Sequence, residues 1–396
     1  MTNNNFGYAC LPAGAAMLAL SFLCRHFAAL LLALALLGFA AAFLVHRARS
    51  AGLAAGATFT AIAAAEFVMA FFLPAELAPE RSARFDASSD YAKQYFTQAT
   101  DLGPLANPGV HSSRKQASDG ELIYDVQYSI GADGFRITPG GSANPAKATR
   151  INFFGGSFTF GEGLHDDETL PYFVATGWQD IAVKNYGFHG YGPHQALAIL
   201  QGERDTQGEI NFFMTSPWHA QRAACVPAYS SGSPRFVLTD DKRVVRDGVC
   251  QAEQVDISPL KAAAGRVLAH SNLYRALRVL TPKGSQEKEM DLYLAIVAEM
   301  ARLSRNRGQR FIVGYVKADD NYLSGAYSND TIYEALARVA DDVIDLTLAE
   351  SDAALTEEYF IHELDRHPSA LANQKRAQLL SQRLELAPIP VPVLTY

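Results

Sequence analysis

The chain has 396 residues and a formal net charge of −7. This acidic balance gives no basic surface of the kind that binds nucleic acid. No zinc-knuckle, Walker or dinucleotide-binding motif is present in the sequence. The chain is longer than a typical single domain with one hydrophobic core, so we expect more than one structural region. Hydrophobic residues make up 49% of the chain and are concentrated near its N-terminus.

Residues 1–75 contain three long apolar runs: Phe6 to Cys24, Phe27 to Val45 and Ala51 to Leu73. Each run has about the 20 residues that cross a bilayer, whereas a signal peptide has one shorter run. The runs therefore predict about three transmembrane helices. Glu66 interrupts the third run, and two interpretations stay open: it faces a partner or an aqueous cavity, or it lies near a helix end and reaches the interface.

The short loop with Arg47 and Arg49 is the most basic one, and the positive-inside rule places it in the cytoplasm. The chain after about residue 76 is then extracytoplasmic, so we expect an inner-membrane protein whose soluble part faces outward. Oxidising conditions there allow Cys225 and Cys250 to pair, and we predict this disulfide. The other cysteines lie in the apolar runs and are expected to be free: Cys10 and Cys24.

Residues 76–150 are predicted to be a linker and a small β segment without a core of its own. Leu122 to Ile130 alternates as a strand does, and Phe135 to Ile137 is predicted to be a second short strand.

From residue 151 to about 390, apolar runs with the length of strands alternate with helical patterns. The predicted strands are Ile151–Phe154, Ile181–Asn185, Ile210–Met214, Phe311–Val316 and Val343–Leu346. The predicted helices are Glu168–Gly177, Pro193–Gln201, Met290–Asn306, Thr331–Val339 and Ala370–Leu386. Regular alternation predicts a mostly parallel sheet covered on both faces. Residues 223–285 interrupt it with a predicted hairpin (Phe236–Thr239 and Arg243–Arg246) and a helix over Ser258–Leu280, and we expect this insertion to cover the site.

Three short blocks have the residue types of nucleophilic catalysis. Gly155-Gly156-Ser157 follows a predicted buried strand, where a tight turn presents a hydroxyl at the carboxyl end of a sheet. Asp365-Arg366-His367 supplies a base and a group to orient it. The glycine-rich loop from Asn185 to Gly192 can present a backbone N–H to an oxyanion. Each block alone is more often a capped turn, a solvated loop or a plain glycine loop.

A zinc site is rejected, because His362 and His367 are five residues apart and would face different sides of a helix.

In this order the three blocks resemble the SGNH/GDSL hydrolase superfamily, over residues 120 to 386 except the insertion. The resemblance implies a three-layer αβα sandwich of flavodoxin-like type. It implies that Ser157 is the nucleophile, that His367 is the base and that Asp365 orients His367. It also implies that the N–H groups of Ser157 and Gly190 form the oxyanion hole, with no metal or cofactor.

One block departs from the family pattern. The family places an asparagine after the third strand, but this sequence has Pro217-Trp218-His219 and then Arg222. His219 is predicted to donate to the oxyanion in its place, with Arg222 supporting it or binding an anionic substrate. The alternative is that both residues only form a polar rim.

The resemblance implies an ester hydrolase or an O-acyltransferase. Membrane anchoring suggests a cell-envelope glycan or lipid as the extracytoplasmic acyl ester, and a membrane-protein partner for the N-terminal helices. The alternative from another class is a non-catalytic binding or assembly module of an envelope polysaccharide system, which the altered third block favours.

Overall fold

The chain forms two compact units in the computed structural model. The first unit comprises residues 1–80 and 254–283, and the second comprises residues 81–253 and 284–396. The predicted small β segment thus belongs to the same unit as the parallel sheet, whereas part of the predicted insertion belongs to the N-terminal unit. The structure describes residues 27–44, 49–72, 82–99, 101–142, 148–251, 271, 287–318, 323, 327–348 and 357–386.

Two helices, α1 (Phe27–Leu44) and α2 (Arg49–Phe72), form the described part of the first unit. They pack closely at glycines: a Cβ atom on Gly52 would lie 2.6 Å from the backbone of α1. Glu66 is buried and accepts a hydrogen bond from the Ser271 hydroxyl of the same unit.

Among the helices that the structure describes, none combines the length and the apolarity needed to cross a membrane. The prediction of transmembrane helices is therefore not supported there, and its first run, Phe6 to Cys24, lies outside the described residues.

The second unit contains a five-stranded sheet in which every neighbouring pair is parallel. Its strands are β6 (Thr149–Phe154), β7 (Ile181–Asn185), β8 (Ile210–Thr215), β11 (Arg310–Tyr315) and β12 (Asp342–Asp345). The order across the sheet is β12-β11-β8-β6-β7. This is the flavodoxin-like order, in which ligands bind beyond the carboxyl ends of the strands where the winding direction reverses. Here that point lies between β6 and β8.

Helices cover both faces of the sheet, as predicted for a three-layer sandwich. The helices of the second unit are α3 (Ser157–Phe160), α4 (Leu170–Gly177), α5 (Pro193–Gln201), α6 (His219–Ala223), α7 (Glu287–Asn306), α8 (Asn329–Ala337) and α9 (Ala370–Leu384). Successive side chains of a strand point to opposite faces. Phe153 accordingly packs in the core under α4 and α9, while Phe154 packs in the core under α5 and α7.

Short antiparallel pieces surround this sheet. Their strands are β1 (Ala83–Phe85), β2 (Phe96–Ala99), β3 (Gly103–Ala106), β4 (Gly109–Ala117), β5 (Leu122–Ile130), β9 (Pro234–Leu238), β10 (Val244–Val249), β13 (Phe360–His362) and β14 (Asp365–Pro368). The longest pair joins β4 to β5. Tyr128 of β5 packs in one core with Phe160 of α3, so the small β segment shares the core of the main domain.

Most predicted elements are observed, with differences of one to three residues at their ends. The hairpin β9–β10 forms as predicted. The predicted strand at Phe135–Ile137 is only a single bridge between Ile130 and Arg136. Strand β4 was not predicted, and the helix predicted over Ser258–Leu280 lies outside the described residues except at Ser271.

The predicted disulfide is confirmed: Cys225 and Cys250 are bonded, with their Cα atoms 5.4 Å apart. The bond closes a loop between residues separated by 25 positions and fixes the end of α6 to the end of β10. A cross-link of this span stabilises a fold mainly by restricting the unfolded chain.

Replacing both cysteines, as Cys225→Ser with Cys250→Ser, is expected to lower the free energy of unfolding of the second unit by about 3 kcal/mol. The measurement is denaturant unfolding followed by tryptophan fluorescence, because Trp178 and Trp218 are the two tryptophans of the sequence and both lie in this unit. The matched control replaces Cys10 and Cys24 instead. Four titratable thiols in the denatured, unreduced chain would contradict the prediction.

Candidate active site

The turn after β6 places the Ser157 hydroxyl at the reversal point of the sheet. This turn requires glycine at positions 155 and 156, because other atoms lie too close to the backbone to leave room for a side chain. A Cβ atom on Gly155 would lie 2.1 Å from the Thr159 hydroxyl, and one on Gly156 would lie 2.5 Å from Nη1 of Arg222. Arg222 therefore occupies the space that a side chain at position 156 would need, which gives a physical reason for a glycine there.

The structure brings together the three residues predicted to form a triad. The Ser157 Oγ lies 2.8 Å from Nε2 of His367, although 210 residues separate the two. Nδ1 of His367 makes a short hydrogen bond to the carboxylate of Asp365. Asp365 and His367 lie on strand β14, and the Ser369 side chain caps the helix that follows.

Charge around the triad favours an ionised Asp365. Burial alone would raise the pKa of this carboxyl, but the His367 ring and the Lys115 ammonium outweigh burial and lower it. For His367, burial opposes the charged form, and the carboxylates of Glu162 and Asp365 reverse that effect and raise its pKa. Asp365 is therefore a carboxylate that fixes the tautomer of His367, the arrangement in which Nε2 can accept the hydroxyl proton of Ser157.

Four titratable residues that were not predicted complete the cluster. Nζ of Lys115 lies 2.6 Å from Asp365 and 3.2 Å from Glu162. Nδ1 of His189 lies 2.7 Å from Glu162, and its other nitrogen lies 3.1 Å from the Tyr95 hydroxyl. Burial lowers the pKa of His189 and raises that of Tyr95, so the tyrosine donates to a neutral imidazole.

Arg136 fixes the loop that follows the nucleophile. Its guanidinium is almost completely buried and donates to the carbonyls of Phe160, Gly161 and Leu164 at 2.6–3.0 Å. Its Nε also lies 2.9 Å from the carboxylate of Asp166. The guanidinium thus satisfies carbonyls at the end of α3 that have no helical partner, and it holds Glu162 in place between them.

The donor role predicted for His219 does not fit the structure. Nε2 of His219 lies 3.2 Å from Nη1 of Arg222, and arginine can only donate. Burial, with Arg222 and His194 close by, holds the pKa of His219 well below its usual value. The single ring hydrogen is therefore on Nδ1, 3.0 Å from the Thr215 hydroxyl, and Nε2 has none for an oxyanion. His219 instead orients Arg222.

Arg222 and Gly190 lie beside Ser157 in one groove. Nη1 of Arg222 also donates to the carbonyl of Tyr191 at 2.7 Å, which anchors the guanidinium beside the turn. Gly190 has a left-handed backbone (φ +72°), and a Cβ atom there would lie 2.9 Å from the Tyr229 ring. Both residues line the same groove as Ser157.

This groove has a volume of about 580 Å³ and leads to the Ser157 hydroxyl. Aromatic side chains form part of its wall, and two of them are well exposed: Phe96 at 42% and Tyr229 at 57%. Glu162 and His189 supply polar atoms on the same wall. The groove therefore offers stacking surfaces and a few polar contacts beside a hydroxyl in a triad, the composition of a small-molecule site.

Glu162, Asp365 and His367 also place one ligand atom each within 4.8 Å of one another. Nζ of Lys115, however, already contacts both carboxylates of this set, Asp365 at 2.6 Å and Glu162 at 3.2 Å. The Lys115 ammonium therefore already takes the position between these carboxylates, and the cluster is a poor fit for a metal ion.

No family model matches the chain, and no curated protein matches it significantly. Solved structures do. A putative lipolytic protein of the G-D-S-L family from Desulfitobacterium hafniense DCB-2 matches with 12% identity and a TM-score of 0.32, covering 59% of this chain and 98% of its own. A putative GDSL-like lipase from Parabacteroides merdae ATCC 43184 matches with 11% identity and a TM-score of 0.31, covering 60% and 95%.

A mutant of the esterase AlinE4 matches with 14% identity and a TM-score of 0.30, covering 60% of this chain and 95% of its own. The solved structures similar to this chain thus include GDSL-type lipolytic proteins and an esterase, the kind of protein that its three sequence blocks resemble.

Proposed function

We propose that the protein is a serine-dependent ester hydrolase or O-acyltransferase. The observation that carries this proposal is the 2.8 Å contact between the Ser157 Oγ and Nε2 of His367 at the end of an open groove. A hydroxyl, an imidazole and a carboxylate in hydrogen-bonding sequence form the arrangement that activates a serine for attack on an acyl carbon.

The reaction then follows from the positions of the side chains. Ser157 attacks the ester carbonyl while His367 takes its proton, and the N–H groups of Ser157 and Gly190, with the Arg222 guanidinium, face the developing oxyanion. Collapse expels the alcohol, which takes the proton from His367 and leaves an acyl group on Ser157. Water or a second hydroxyl then attacks this acyl-enzyme with His367 as base, which gives hydrolysis or transfer.

Location and substrate belong to the same proposal. The Cys225–Cys250 disulfide supports an extracytoplasmic site, since such bonds persist in oxidising compartments. An acyl ester of a cell-envelope glycan or lipid is the substrate we propose, with membrane attachment and a membrane partner for the N-terminal segment. The altered third block, where Nε2 of His219 has no hydrogen for an oxyanion, favours the alternative of a non-catalytic binding or assembly module.

A fluorophosphonate probe distinguishes enzyme from binding module, because its phosphorus reacts only with an activated serine. We expect the full chain to gain one covalent adduct, with loss of fluoride, at Ser157. Peptide mass spectrometry locates the adduct, and heat-denatured protein and the Ser157→Ala variant serve as controls. A folded chain that stays unlabelled at every pH tested would overturn the proposed activity and support the binding module.

A further inference from the structure

Glu162 faces the same ring nitrogen as the proposed nucleophile. Its Oε2 lies 3.5 Å from Nε2 of His367, and the Ser157 Oγ lies 2.8 Å from that nitrogen. Only 8% of the Glu162 side chain is exposed, so water screens its charge poorly. When His367 is neutral, Nε2 presents a lone pair toward the carboxylate. When it is protonated, Nε2 presents a hydrogen. The carboxylate therefore favours the protonated ring.

The Glu162 charge is held rigidly. Lys115 lies at 3.2 Å and His189 at 2.7 Å, and both partners are largely buried. Burial alone would raise the pKa of Glu162, but His367, His189 and Lys115 outweigh it and hold this pKa well below its usual range. The glycines on either side, Gly161 (φ +86°) and Gly163 (φ +79°), have left-handed backbones that turn the side chain toward the triad.

Lys115 opposes the effect of Glu162. Its ammonium contacts both carboxylates that act on the ring, Asp365 and Glu162, and so reduces their combined field at His367. The groups around the ring are Ser157, Asp365 and Glu162 in contact, with Lys115 and His189 behind the carboxylates. Two negative groups against one positive group leave a net preference for the imidazolium.

We propose that Glu162 is a positioning residue of the triad, which sets how readily His367 takes and holds the proton of Ser157, and that Lys115 limits this effect. The inference rests on the proposed function. Because the ring holds its proton more firmly, it becomes a stronger base and stabilises the ion pair formed during attack. The disadvantage is that the His367 ring is already protonated over a wider range of acidic pH, where it cannot accept the proton of Ser157.

The test follows the rate of fluorophosphonate labelling of the full chain against pH. The wild-type rate is expected to fall as the pH drops through the pKa of His367. In Glu162→Gln the midpoint of this fall is expected to move to lower pH by about 1–3 units. At a pH well below the wild-type midpoint, labelling of the variant is then faster, because the larger neutral fraction of His367 outweighs the weaker basicity of the ring. Glu334→Gln on the exposed face of α8 is the matched control and should leave the midpoint unchanged.

The direct readout is an NMR titration of the His367 ring in the wild type and in Glu162→Gln. It reports the protonation of the ring whether or not the serine reacts, so it separates this inference from the proposed activity. A downward shift of the ring titration in the variant supports the inference even if labelling fails. An unchanged titration in a folded Glu162→Gln chain overturns it even if Ser157 is labelled.

Discussion

Replacing His367 by alanine is expected to reduce ester turnover by about 10⁴-fold or more, because Ser157 then has no base to take its proton. In the structure, the imidazole is the only described side chain that links the Ser157 Oγ, at 2.8 Å, to a buried carboxylate. The loss should appear mainly in kcat. The same variant should also lose fluorophosphonate labelling at neutral pH.

The matched control for this variant is His362→Ala. His362 lies on β13 of the same hairpin, and its Nδ1 accepts the backbone N–H of Leu364 at 3.1 Å instead of facing the nucleophile. We expect this variant to retain most of its turnover. Equal losses in the two variants would mean that the hairpin is merely disturbed, and an active His367→Ala chain would remove the base from the proposed mechanism.

Arg222→Ala is expected to lower kcat by about 10²–10³-fold, the usual effect of losing one oxyanion donor. Nη1 of Arg222 is anchored by the Tyr191 carbonyl and by His219, and the side chain lines the groove beside Ser157. An interaction made only with the developing oxyanion affects kcat while KM changes little. Steady-state kinetics with one neutral ester and one anionic ester of similar size measure both parameters.

Two further substitutions sharpen this result. Arg222→Lys keeps the charge but loses the planar fork, so an intermediate loss of rate is expected. Arg235→Ala removes a half-exposed arginine of β9, paired with Asp247, and should leave the kinetics unchanged. A rise in KM for the anionic ester alone, with kcat unchanged, would assign Arg222 to substrate binding and not to the oxyanion.

The parallel sheet could be predicted from the sequence because its strands are buried on both faces. Runs such as Ile210–Thr215 are apolar or strand-forming except at Asn211 and have turns at both ends. Strand β4 could not be found in this way. Its sequence, from Gly109 to Ala117, is mostly polar, and its alternate buried residues include Ser113 and His111. Their burial comes from packing against distant segments, which the local pattern does not contain.

The same division applies to the site. Ser157, Asp365 and His367 stand in short sequence blocks that come in the same order as in the SGNH/GDSL pattern. They could therefore be proposed from the sequence. Lys115 and Glu162 are single charged residues in segments that predict a solvent-exposed surface. The only local signal at Glu162 is the glycine on each side. The acceptor role of His219 depends on the Arg222 contact, which a sequence does not reveal.

Lys115 lies on β4 of the antiparallel sheet, whereas Glu162 follows α3 of the parallel domain and Asp365 lies on the β13–β14 hairpin. The charged cluster around the triad therefore includes a residue of the antiparallel sheet as well as residues outside it. A sandwich without the β4–β5 pair would retain Ser157 and His367 but lose the ammonium that contacts both buried carboxylates. A substitution on β4 can therefore change the electrostatics of the triad without touching the parallel sheet.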